Sequence, residues 1–408
     1  MSAKDYDIVI VGAGPAGCAC AYQLRDSGLK VALIDKDSFP RDKICGDALS
    51  ADVINQFYRM ETELGEQLKH FVHKTNSHGV RFVGPNHVTL NIKSTHPETS
   101  KLGGYTARRK DFDHFFFNQL SGQPHLDLLT GRKLEEVTVR SDRVEAVTTG
   151  GTLNASIIVG ADGANSVVNR KLTNYKMEKT HFCGGLRQYY ENVSGFHEGD
   201  YIELHFYKDL LPGYFWIFPL PNNQANVGLA MLSSEISRQR IDLKAKLKQI
   251  IENHPNVKHR FVDAKPLEPV KGFGLPIGSK KQKIAGDRFL LLGDAASLID
   301  PFTGEGIGNA IRSGRIAAEH LIKACQHNRF DAAFNQNYSS QVYDKMWKEL
   351  RLSRGMQKLL RYPRLLNLVF NKAHKNESVQ LLLSSMLHDV NLKSELIKPS
   401  FYFKLIFS

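Results

Sequence analysis

Six residues near the start of the chain, Gly12-Ala-Gly-Pro-Ala-Gly17, restrict its fold more than any other feature. They follow an apolar run, Tyr6 to Val11, and open a segment of helical composition, Pro15 to Ser27, that Gly28 caps. A second apolar run, Lys30 to Ile34, completes a β-α-β unit. In such a unit Gly12 serves the tight turn, Gly14 lets the backbone approach a phosphate, and Gly17 lets the helix pack on the strand. Amides near Ala16, at the positive end of the helix, suit a pyrophosphate. Asp35 lies 18 residues beyond Gly17, at a strand end where a carboxylate can bind ribose hydroxyls. The pattern calls for an α/β, Rossmann-like domain.

A distant segment narrows the dinucleotide. Arg288-Phe-Leu-Leu-Leu-Gly-Asp-Ala-Ala-Ser297 reads as a strand ending in Gly293-Asp294, and Pro301-Phe-Thr-Gly-Glu-Gly-Ile-Gly308 opens a helix. Asp294 is placed to accept hydrogen bonds from ribityl hydroxyls. Amides around Gly304, Gly306 and Ile307 would face the flavin N1–C2=O edge, which gains negative charge on reduction. NAD has no ribityl chain, so FAD is the expected cofactor. Capping a helix is an alternative role for Asp294, and one carboxylate can fill both.

At 408 residues the chain is long enough for two joined domains, and 42% hydrophobic residues exclude wholesale disorder. We expect a discontinuous FAD-binding domain (1–75, 105–175 and 275–328), an inserted antiparallel-sheet substrate domain (76–104 and 176–274) and a basic helical C-terminal region (329–408). Alternating apolar residues around Gly84-Pro-Asn86 predict a hairpin, Arg109 to Leu120 a helix, and residues 126–160 a meander. Residues 181–231 are aromatic-rich strands, and 235–253 read as one lysine-rich amphipathic helix.

Five cysteines without metal or disulfide spacing fit a reduced, cytoplasmic setting, and no metal site is expected. The N-terminus lacks the pattern of a signal peptide, and no stretch approaches the roughly 18 to 20 apolar residues of a membrane helix. The net charge of +12 is uneven: from residue 311 onward 16 Lys and Arg face 7 Asp and Glu. Trp347, Leu350, Leu352, Met356, Leu359 and Leu360 alternate there with basic residues. A helix packed on the substrate domain explains this pattern, as does a peripheral contact with an anionic membrane at its inner face. An acidic redox partner would also suit it, whereas nucleic acid lacks any accompanying binding module.

Gly160-Ala-Asp162-Gly-Ala-Asn-Ser166 is a third strand-to-turn signature, with Asp162 expected to hold the turn. With the other two, and with Arg109-Lys-Asp-Phe-Asp113 matching an Arg-x-x-Phe-Asp helix start, the chain resembles the FAD-dependent hydroxylase-like flavoproteins. Lys43-Ile-Cys45-Gly46 and Tyr214-Phe-Trp216-Ile-Phe218-Pro219 match the Lys-x-Cys-Gly and Tyr-x-Trp-x-Phe-Pro motifs of the geranylgeranyl reductase family. That resemblance implies that Cys45 and Gly46 lie at the isoalloxazine ring and Arg109 against the FAD. It adds Lys36 and Val137 to the cofactor contacts. Tyr214, Trp216, Phe218, Pro219 and Gly228 become the substrate wall. Two departures stand out: Asp35 replaces a commoner glutamate, and Gly228-Leu-Ala230 replaces a Gly-x-Gly. The methyl of Ala230 would narrow the pocket or alter a bulge.

The resemblance implies reduction of isoprenoid C=C bonds in a prenyl lipid, prenyl diphosphate or prenylated quinone, by hydride from flavin N5 and a proton from elsewhere. Cys45, with Arg41 or Lys43 expected nearby, is the candidate catalytic residue. It would deliver the proton or exclude water, or else act only as a small buried hydrophobe. Alternating Tyr214, Trp216 and Phe218 should share one face of a strand, and apolar burial there is worth about 25 cal/mol per Å². With a single dinucleotide signature, electrons must come from a visiting NAD(P)H or a ferredoxin-like protein. Two other readings fit the motifs: a monooxygenase or halogenase of this fold acting through a C4a-hydroperoxide, and a non-catalytic FAD-bound binding protein.

Overall fold

The computed structural model describes residues 4–94, 103–376 and 378–380; the other positions, including 381–408 of the expected C-terminal region, lie outside the described residues. The first sheet is the Rossmann-like one. Strand Lys4–Val11 lies at its centre, parallel to Val31–Ile34 on one side and to Gly151–Gly160 on the other. Leu126–Leu129 and Phe289–Leu291 extend it in parallel at the two flanks. Leu134–Val139 and Val144–Thr148 form an antiparallel flap on Gly151–Gly160. Ile8, Ile10, Leu33 and Ile158 are fully buried in the nucleotide-domain core, to which the flap adds Leu134, Val137, Val144 and Ala146.

Helices Pro15–Leu24 and Ile307–Gln326 pack closely, and glycine makes that approach possible. A Cβ on Gly314 would lie 2.4 Å from the Ala16 carbonyl oxygen. The sequence elements separated by some three hundred residues are thus neighbours in one layer.

The second sheet is largely antiparallel, in the order Lys265–Pro266, Phe182–Glu191, Gln224–Leu232, Tyr214–Leu220, Ile202–His205, Gly79–Val83, Thr89–Lys93. Its outer face packs on helix Leu243–Asn253 through Phe215, Ile217, Val227, Leu247 and Ile250. Its inner face carries Tyr214, Trp216, Phe218 and Ala230. A three-stranded sheet (Ala48–Ser50, Gly104–Thr106, Thr75–Ser77) also forms, and strand Gly104–Thr106 packs near Tyr214–Leu220.

The lysine-rich segment is two helices rather than one. Ser233–Gln239 ends at Arg240 in the left-handed region, and Asp242 restarts the chain by accepting from the Lys244 and Ala245 amides. Helix Ala332–Leu359 turns its apolar side inward: Leu350 joins the nucleotide-domain core, with Trp347 packed against it. Helix Pro363–Lys375 lays Phe370 on Leu90 and Ile92 of the second sheet and on Phe206 just beyond it.

Candidate active site

The three glycine signatures meet at one point. A Cβ on Gly12, whose φ is +101°, would come 2.4 Å from the Ala161 carbonyl oxygen, and one on Gly17 would strike the Gly12 carbonyl. Gly293 lies between Ala16 and Ala310, where a Cβ would meet theirs at 3.3 and 3.1 Å. Gly14 differs: the space above it is open, with only an Arg41 guanidinium nitrogen within 4 Å. Neither helix start beside it, Gly14 or Gly306, is capped by a side chain. Two uncapped helix N-termini and an open glycine fit a dinucleotide pyrophosphate and an electron-rich ring edge.

Acidic residues frame this cradle. Asp35 accepts from the Ala13 amide at 2.8 Å and the Asp37 amide at 3.0 Å, which leaves a second lone pair on each oxygen. Asp294 receives Lys43 Nζ at 3.2 Å. Its Oδ1 lies 3.2 Å from where a Gly306 Cβ would sit, so side chain and helix start face each other. Gly304 takes φ +73° in the turn before Ile307. Lys36 is exposed at the end of the second strand, and Val137 is buried in the flap. Asp162 accepts from the Ser166 hydroxyl and the Val167 amide, closing its own turn.

Arg109 carries its charge close to Cys45. Arg41 pairs with Asp113 at 2.7 Å and Lys43 with Asp294. Arg109 is buried and grips Asp113 twice at 2.7 Å. Burial opposes its charge, but the Asp113 carboxylate outweighs it and holds the guanidinium above its ordinary value. Asp113 is correspondingly held low: burial works against ionisation, and Arg109 and Arg41 reverse it.

Cys45 and the aromatic strand come together. A Cβ on Gly46 would lie 3.3 Å from the Phe218 ring and 3.8 Å from Trp216, so the turn rests on the wall. Tyr214, Trp216 and Phe218 follow one another with ring centroids 6.1 Å apart. Trp216 sits opposite Gly228 in register, and any side chain at Gly228 would collide with its indole. Pro219 accepts from the Thr106 hydroxyl through its carbonyl. The Tyr214 hydroxyl donates to the Thr303 carbonyl, which ties the wall to the turn before Ile307. Ala230 adds its methyl to the Trp216 and Phe218 cluster.

Two polar residues here carried no role in the sequence reading. Asp47, wholly buried at φ +67°, accepts from the Tyr189 hydroxyl at 2.6 Å and from Asn226 at 2.8 Å. Burial pushes its carboxyl up to about 6 despite Tyr189 and Arg187. Tyr189 in turn lies between the guanidinium groups of Arg108 and Arg187, at 4.4 and 3.8 Å. The only sequence signal for Asn226 is its position two residues before Gly228.

The family model described as FAD binding domain matches residues 5–348. The chain is similar to menaquinone reductase of Mycobacterium tuberculosis strain H37Rv, with 30% identity over 90% of this chain and 87% of that protein. It is also similar to digeranylgeranylglycerophospholipid reductase of Thermoplasma acidophilum, with 27% identity over 84% of each. In fold it matches the crystal structure of a geranylgeranyl bacteriochlorophyll reductase-like protein from Thermoplasma acidophilum. The TM-score is 0.77 and the identity 23%, over 99% of this chain and 96% of that one.

Proposed function

Because the chain belongs to the FAD binding domain family and is a geranylgeranyl reductase-like FAD-dependent oxidoreductase, we propose that it saturates C=C bonds in the isoprenoid chain of a membrane lipid or prenylated quinone. The observation that carries this reading is the seating of the Cys45-Gly46 turn on the Trp216 and Phe218 rings. A flat apolar wall next to a thiol suits an alkene in a greasy chain, which offers nothing to hydrogen-bond and gains chiefly by burial. The names of both curated relatives point to substrates of this kind.

FAD, once bound and reduced, supplies the hydride. The protein does the rest. Gly12, Gly14, Ala16 and Gly17 would take the pyrophosphate, Asp35 the ribose, and Asp294 the ribityl hydroxyls, while Gly306 and Ile307 would offer amides to the ring. Tyr214, Trp216 and Phe218 hold the chain and keep water from the reacting carbons. Cys45, oriented by Arg109, stands at the reacting face and delivers the proton to the second alkene carbon. An external donor, NAD(P)H or a ferredoxin-like protein, restores the electrons.

The test is anaerobic. Reduced holoenzyme mixed with unsaturated prenyl lipids should reoxidise, and each saturated bond should add about two mass units to the product; with menaquinones the gain is read on side-chain fragments, since reduction of the quinone ring adds the same mass. Cys45→Ser should slow this step at least about tenfold at unchanged flavin content. Reoxidation by oxygen alone, with no alkene consumed, would sink the reading in favour of a monooxygenase or halogenase.

A further inference from the structure

Asn226 is fully buried, yet its carboxamide makes three hydrogen bonds to three parts of the site. Nδ2 donates to the Cys45 carbonyl and to Asp47 Oδ2, both at 2.8 Å. Oδ1 accepts from the Trp216 indole at 2.8 Å. The orientation of the amide follows from its partners: turned over, it would set an oxygen against two acceptors and an NH₂ against an indole N–H. Asp47, two residues along the chain from Cys45, supplies the second acceptor and is itself held by Tyr189.

The amide sits within the second sheet. Asn226 stands opposite Phe218 in register, diagonal to Trp216, on a strand paired on both sides. Gly46 fills the gap between the Cys45 carbonyl and the rings of Trp216 and Phe218. The Cys45 loop and the aromatic wall therefore share one buried hydrogen-bonding group, though they lie on different elements of the fold.

We infer that Asn226 is a positioning residue which fixes the spacing between the Cys45 thiol and the Trp216 wall, and so selects the double bond that is reduced. This rests on the function proposed above. A polyprenyl chain repeats the same trisubstituted alkene along its length, so local chemistry does not distinguish one bond from the next. Selection must come from where the chain stops on the wall relative to the reactive edge. Asn226 is wholly buried and acts through Cys45 and Trp216. Freed from it, both would relax by fractions of an ångström, enough to blur the stopping point.

The experiment uses flavin-loaded protein in a Trp347→Phe background, which leaves Trp216 as the only indole of the two in the chain. Asn226→Leu preserves shape and removes all three bonds. It should alkylate at Cys45 with iodoacetamide at least about threefold faster, shift the Trp216 emission, and spread reduction over more than one bond of the prenyl chain. Asn226→Asp keeps the acceptor for Trp216 and loses the donor to Cys45. It should speed alkylation and leave the emission where it was.

Alkylation, emission and product pattern all unchanged in folded, flavin-loaded Asn226→Leu would overturn the inference. So would failure of both variants to fold with flavin, since Asn226 would then serve the fold rather than the spacing. If the parent enzyme reduces no alkene, the proposed function fails on that count, whereas the alkylation and emission results still decide whether Asn226 sets the spacing.

Discussion

Lys43 Nζ lies 3.2 Å from Asp294 Oδ2, joining residues 251 positions apart across the floor of the FAD cradle. The lysine is the more exposed partner, with 42% of its side chain accessible against 14% for the aspartate. An ion pair so open to water contributes little, whereas a carboxylate that receives ribityl hydroxyls makes charge-assisted bonds in a protected place. Asp294→Ala should weaken FAD binding by about tenfold to a hundredfold, and Lys43→Met by less than about threefold. Titration of apoprotein with FAD, followed by quenching of flavin fluorescence, measures both. Equal losses would show that the ion pair, not the ribityl contact, is what Asp294 contributes.

Gly12 and Gly14 should fail in different ways. Gly12 combines a positive φ with a carbonyl 2.4 Å from any added Cβ, so Gly12→Ala strains the backbone and forces strand and turn apart. The cost should exceed about 2 kcal/mol in urea unfolding of the apoprotein. Gly14→Ala meets only open space, and its melting temperature should stay within a few degrees of the parent, about 1 kcal/mol or less. FAD affinity should nevertheless collapse, because the methyl would occupy the place proposed for the phosphate.

These glycines were legible in the sequence because their constraint is local: a turn of fixed geometry admits few residues. The aromatic strand was legible for a similar reason, since alternation alone puts Tyr214, Trp216 and Phe218 on one face. Asn226 was not. A polar residue in an apolar strand acquires meaning only when the Cys45 loop, 181 residues away, folds onto it. The closeness of Arg109 to Cys45 is likewise not legible, because 64 residues separate them in sequence. The sheet of Ala48–Ser50, Thr75–Ser77 and Gly104–Thr106 has strands too short for periodicity and pairs across long separations.

Ala230 should set the room available on the wall. Its methyl packs with Trp216 and Phe218 on the strand opposite Tyr214. Ala230→Leu adds three carbons to a filled cluster and should cost about 1 to 3 kcal/mol by overpacking. Alkene-dependent reoxidation should slow at least about tenfold while FAD affinity holds, since Ala230 packs on Trp216 and Phe218 and not on the Gly12–Gly17 turn. Ala230→Gly should lose only about 0.5 to 1 kcal/mol of stability and accept bulkier chains. Stopped-flow reoxidation beside a flavin titration separates the two effects; a parallel fall in FAD affinity would contradict this placement of Ala230.

Asp47 gives the fold a pH dependence of unusual sign for a carboxylate. Burial raises its native value to about 6, against an ordinary 3.8, so between those values the folded chain holds a proton that the unfolded chain has lost. Stability from this group is therefore full below about pH 4 and declines as pH rises through about 6. The interval corresponds to something on the order of 3 kcal/mol, forfeited by pH 7. Asp47→Asn cannot ionise, yet its amide oxygen still accepts from Tyr189 and Asn226, and asparagine tolerates the left-handed backbone. Urea unfolding at saturating FAD should find the variant more stable than the parent at pH 7.5, with the difference shrinking to nothing near pH 4. A difference that grew toward low pH would mean that Arg187 and Tyr189 hold the Asp47 carboxylate charged, reversing the sign.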